Sequence, residues 1–81
     1  MNMKTGTSNE IVHEVMKDEG INQVKLTKLM GKEWQGGVST SINSKRMSVG
    51  KLCEMMNAMG YSVFVCKENN ISEESVYKIT Q

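Results

Sequence analysis

Gln23-Val24-Lys25-Leu26-Thr27-Lys28-Leu29-Met30-Gly31, followed after a short polar stretch by Val38-Ser39-Thr40-Ser41-Ile42-Asn43, decides how this chain folds. Asn22 is a good N-cap, Leu26, Leu29 and Met30 recur at helical spacing, and Gly31 stops the run. This predicts a short helix over 23–30. Lys32-Glu33-Trp34 is a tight polar connection, and the next helix is expected over 35–43 with Val38 and Ile42 on its buried side. Two helices packed across so short a turn need a small residue where they cross, and Thr27 supplies it. They also need a glycine at the turn, which is Gly31. The outward face of the second helix is then Gln35, Gly36, Ser39, Thr40 and Asn43. These are short hydrogen-bonding groups rather than the long charged side chains of an ordinary solvated face. A helix so decorated fits a DNA major groove, with these five residues as the base-reading set.

Working outward, Thr7 and Glu10 have the spacing of a capping box, and Ile11, Val12, Val15 and Met16 form an apolar stripe that Gly20 ends. Residues 1–8 are read as a flexible arm and residues 9–60 as the helical bundle. Ser48 caps a fourth helix over 49–59 whose inward stripe is Val49, Leu52, Cys53, Met56 and Met59, with Gly60 as its stop. The period then changes. Residues 61–67 are rich in β-branched and aromatic side chains and predict a strand, so the fold class is mainly α: four helices followed by a C-terminal strand. A lone strand leaves backbone groups unpaired. Either residues 71–80 return as the second strand of a hairpin, or the strand pairs with its copy in another subunit; the segment from Ser72 also suits a short capped helix. Residues 61–81 are therefore the expected dimerisation region. Val63, Phe64 and Val65 are expected at the interface, with Met55, which lies off the inward stripe of the fourth helix.

The net charge of +1 conceals a segregated distribution. Residues 1–22 carry −2, residues 23–51 carry +5 and residues 52–81 carry −2. A basic middle between acidic flanks is the pattern of a nucleic-acid-facing surface on a near-neutral protein. Lys25, Lys28 and Lys32 are the phosphate contacts expected from it.

Other classes find little support. With 81 residues there is room for one core, and a domain this size buries only about 60% of its unfolded surface, so a partner subunit would help it. No apolar run approaches the roughly 20 residues needed to cross a membrane, and no leader pattern opens the sequence. Cys53 and Cys66 are expected as reduced thiols in a cytoplasmic protein. His13, the single histidine, has no cysteine or carboxylate cluster at ligand spacing, so no metal or cofactor is expected. Paired carboxylates in an apolar setting, a Cys/His nucleophile pair and a phosphate-cradling glycine loop are all missing, so no enzyme is expected.

The residues Met30-Gly31, Gln35, Val38-Ser39, Ile42-Asn43, Met47-Ser48-Val49, Leu52-Cys53-Glu54-Met55-Met56 and Met59-Gly60-Tyr61 resemble the λ repressor/Cro-like helix-turn-helix family. Residues 9–67 are similar above all to its short single-domain members in phages and Firmicutes. The resemblance implies a compact bundle whose third helix enters DNA. It further implies that Gln23 touches phosphate and braces Gln35 against a base, and that Lys45 and Arg46 lie in a loop that meets the DNA backbone. A homodimer bound to palindromic double-stranded DNA, acting as a transcriptional regulator, is the expectation that follows.

Trp34-Gln35-Gly36-Gly37 departs from the Ser-x-Ser-Ala start expected for the third helix of that family. Two readings stand. The glycines let the backbone approach DNA closely, or Trp34 anchors a host or phage protein and the scaffold has become a protein-binding module, such as an inhibitor of a host defence nuclease or an antitoxin-like protein. Trp34 cannot cap a helix and has no place in a core stripe, so it is expected to be exposed in the isolated chain.

Overall fold

Thr7 and Glu10 begin the first helix reciprocally. The Glu10 amide donates to Thr7 Oγ1 and the Thr7 amide to Glu10 Oε1, each across 3.2 Å. The hydrogen bond from the Thr7 backbone, and after it the Thr7 hydroxyl beside the carboxylate, hold the Glu10 carboxyl below its ordinary pKa. In the computed structural model, which describes residues 4–34, 36–44, 46–67 and 76–80, this helix is α1, Ser8–Glu19. It is followed by α2, Gln23–Leu29, α3, Gly36–Asn43, and α4, Val49–Ala58. The bundle thus opens at Ser8, inside the segment expected as arm. Of that arm, Lys4 folds back onto α1, its ammonium 3.1 Å from Glu14 and 3.2 Å from Asp18.

Asn22 and Ser48 cap α2 and α4 as expected, accepting from the amides of Lys25 and Lys51. Gly31 is the turn that matters most. It takes a φ of 71°, and the Lys32 amide reaches back 3.0 Å to the Thr27 carbonyl. Only glycine adopts that conformation without strain, so α2 ends there and the chain is free to turn towards α3. Gly20 and Gly60 stop α1 and α4 in the same way.

The core lies where the four helices meet. Val12 and Met16 come from α1, Leu26 from α2, Val38 and Ile42 from α3, and Cys53, Met55 and Met56 from α4, with Met59 just beyond it. Three positions differ from expectation. Met55 is completely buried, whereas Val49 is 55% and Leu29 45% exposed. The cause in α4 is that this helix packs on both α1 and α2. Its buried sector is wider than one stripe and takes in Met55, while Val49 sits in the first turn. In α2, Met30 takes the inward position at the helix end and leaves Leu29 outside.

The C-terminal segment resolves in favour of the hairpin. β1, Val63–Cys66, pairs antiparallel with β2, Val76–Ile79, with Val63 opposite Ile79 and Cys66 opposite Val76. The strand is shorter than the expected 61–67. The helix considered from Ser72 falls, over 72–75, outside the described residues, and residues 76–79 are strand. Val63 leans on the bundle core, which anchors the hairpin at its base. Phe64 and Val65 are 57% and 49% exposed, and Tyr77 on the opposite strand 68%. Of the four expected interface residues, Met55 therefore has no surface to offer and Val63 little, because both pack within their own chain. Among the described residues no helix is long and apolar enough to cross a membrane.

Candidate nucleic-acid interface

The α2–α3 pair is built around a buried threonine. Thr27 is 4% exposed, and it tolerates burial because its Oγ1 donates 2.7 Å to the carbonyl of Gln23, within its own helix. A larger side chain there would push α3 away. Gln23 begins α2 and is half-buried, and its Oε1 accepts a hydrogen bond from Ser39 Oγ at 2.5 Å. The first residue of one helix is thereby tied to the middle of the next. Gln35, the partner expected for Gln23, lies outside the described residues.

The far end of α3 is fixed by a residue that no motif or charge pattern singles out. Asn9 is nine-tenths buried, and its Nδ2 donates to the carbonyls of Ser41 at 3.0 Å and Ile42 at 2.9 Å. Those carbonyls belong to the last turn of α3, where no intrahelical amide remains to receive them. The one available signal was position: Asn9 stands three residues before Val12 and seven before Met16, on the inward stripe of α1. Beyond α3, Ser44 Oγ lies 2.9 Å from the carbonyls of both Ser41 and Arg46 and shapes the loop towards α4.

With α3 held at its middle and at its C-terminal end, its outer side is Gly36, Gly37, Thr40 and Asn43, all exposed. Of the five residues expected to read bases, Gly36, Thr40 and Asn43 are thus exposed on α3. Ser39 is half-buried, with its hydroxyl engaged by Gln23, so it is less available than expected. Trp34 is 79% exposed, as expected. Its ring lies over Gly36, where a Cβ would stand 2.5 Å from Nε1. Gly37 has open space in front of it.

The cations sort into two groups. Lys25, Lys28 and Arg46 are exposed, with no ion pair among the described residues. Lys32 and Lys51 instead approach Glu54, at 3.8 and 2.9 Å. The hydrogen bond from Lys51 is the main reason the Glu54 carboxyl is held below its ordinary pKa. Part of the Lys32 charge is therefore met by a carboxylate from α4, which leaves Lys32 less free to meet another anion than Lys25 or Lys28. The Lys51–Glu54 pair was legible from its i,i+3 spacing; the approach of Lys32 needed the tertiary fold. Lys45 lies outside the described residues. Ser41, Ser44, Arg46, Met47, Ser48 and Lys51 line a hollow between the end of α3 and the start of α4.

Among the described residues no group of three His, Cys, Asp or Glu side chains comes together to hold a metal ion. Cys53 is buried and Cys66 exposed, and both are free thiols. Comparison of the chain with protein-family models, with curated proteins and with solved structures gives no match.

Proposed function

We propose that this chain is a sequence-specific double-stranded DNA-binding regulator of λ repressor/Cro-like helix-turn-helix type, working as a homodimer in a bacterial or phage-infected cell. The observation that carries the reading is the brace between Gln23 and Ser39. It fixes α3 against α2 while leaving Thr40 and Asn43 exposed, and a reading helix needs both properties. Its side chains must be free to meet base edges, and its backbone must not shift when they do. Lys25, Lys28 and Arg46, which have no ion pair among the described residues, supply the sequence-independent attraction to phosphate.

The homodimer draws support from the hairpin. Two strands alone are marginally stable in water, and this pair leaves Phe64, Val65 and Tyr77 open. Val65 and Tyr77 oppose one another on one face of the hairpin and Phe64 lies on the other. A twofold copy laid against the Val65–Tyr77 face would cover those two side chains, and a dimer that reads a palindrome sets its two α3 helices about one DNA turn, ~34 Å, apart.

Selection of a duplex from a random pool by the full-length chain tests the proposal, with fluorescence anisotropy on the enriched duplex and a scrambled one. Preference for the enriched duplex supports it, and no enrichment rejects it. The second reading, a protein-binding module on the same scaffold, is favoured by the exposed Trp34.

A further inference from the structure

Trp34 stands two positions before Gly36, the first residue of α3, and its ring lies over the first turn of that helix instead of entering the core. It is 79% exposed and lies against the backbone of Gly36, where any side chain would displace it. Gly36 and Gly37 carry no side chains, so the indole is the bulkiest group at the leading end of α3 among the described residues.

Resting on the DNA-binding reading above, we infer that Trp34 is itself a specificity-determining residue: its indole packs on the C5-methyl group of a thymine at the edge of the site. The leading end of a reading helix is the part that meets base edges. The thymine methyl is the apolar feature of the major groove and distinguishes A·T from the other pairs there. An indole offers a flat apolar surface to it. Gly36 lets that surface lie flush with the helix, and Gly37 keeps the approach clear. A protein hot spot is a poorer account of this tryptophan, because such anchors sit at the centre of a well-packed patch whose surrounding contacts exclude water. Here the flanking Lys32 and Glu33 are charged and exposed, and the glycines offer no side-chain surface.

The test uses the full-length chain and the duplex it selects from a random pool, with each thymine in turn replaced by deoxyuridine, which removes only the methyl group. The wild type loses about fourfold in affinity at one defined thymine, the value of burying one methyl group. Trp34→Ala loses at least as much on the all-thymine duplex and is indifferent to that replacement, whereas Trp34→Phe keeps the sensitivity. Trp34 is the single tryptophan, so its emission also changes on saturation with the selected duplex. A wild type indifferent to every replacement overturns the inference, as does a Trp34→Ala variant still sensitive at the same thymine. Both results leave DNA binding intact. Failure to enrich any duplex overturns the DNA reading and the role of Trp34 with it, and a Trp34 emission that answers only to a protein partner does the same.

Discussion

Ser39 donates its hydroxyl proton to Oε1 of Gln23 across 2.5 Å, which joins the opening residue of α2 to the centre of α3. The bond is part-buried and links two exposed faces through the interior of their contact. A hydrogen bond of this kind contributes about 0.5–1.5 kcal/mol. Gln23→Ala and Ser39→Ala should each lower stability by that amount in urea titrations, and the double variant by less than the two together. The same variants should weaken binding to the selected duplex more than to a scrambled one, because only base reading depends on where α3 sits.

Asn9 does for the end of α3 what Gln23 does for its middle. Asn9→Ala leaves the Ile42 carbonyl without its side-chain donor and the Ser41 carbonyl with Ser44 Oγ alone, at a cost of about 1–3 kcal/mol. Asn9→Asp should cost more, since it sets a carboxylate against two carbonyl oxygens. Urea denaturation of the three proteins gives the order wild type, Ala, Asp in falling stability. An Asp variant as stable as the wild type would show that the amide donor is not what holds α3.

Most of this fold could be read from local rules. Thr7, Asn22 and Ser48 announce helix starts and Gly20, Gly31 and Gly60 helix ends because capping and left-handed turns are chemistry within a few residues. Val38 and Ile42 announce a buried face by their spacing. What escaped depended on neighbours distant in sequence. Asn9 is an ordinary polar residue until α3 brings two orphan carbonyls to it. Met55 falls outside a single stripe, and only the packing of α4 on both α1 and α2 buries it. Lys32 counted as a full positive charge until the fold set Glu54 beside it. For residues 61–80 local pattern gave the strand, but the choice between hairpin and intersubunit pairing is a matter of long-range pairing.

Glu54 also makes a pH-dependent contribution. Its carboxyl is held below the ordinary glutamate value of 4.5, chiefly by the Lys51 hydrogen bond. A depressed folded-state pKa means that the stabilisation is fully present above pH 4.5 and is lost as pH falls through the folded value. Lys51→Met should therefore lower stability slightly at pH 7 and make no difference near pH 2. Urea midpoints of wild type and variant should converge below pH 4.5. A constant gap across that range would show that the alkyl packing of Lys51, rather than its charge, is what matters.

Val65 and Tyr77 give the assembly its own test. Wild type at tens of micromolar should scatter light as a dimer. Replacing both residues by Lys should give a monomer that keeps its helical circular dichroism, because both side chains are exposed in the single chain. A monomeric wild type would leave the hairpin satisfied within one chain and remove the dimer from the account.

The central claim is that α3 and the surrounding cations read DNA, and the salt dependence of binding tests it most directly. Anisotropy titrations of the selected and scrambled duplexes across a series of salt concentrations give two slopes of log affinity against log salt. Each neutralised phosphate contributes a slope of roughly −0.9, so Lys25, Lys28 and Arg46 from two copies predict about −5 on the selected duplex. The selected duplex should also remain the tighter ligand at every salt concentration. A slope near zero, or equal affinity for both duplexes, would contradict the account and favour a protein-binding module.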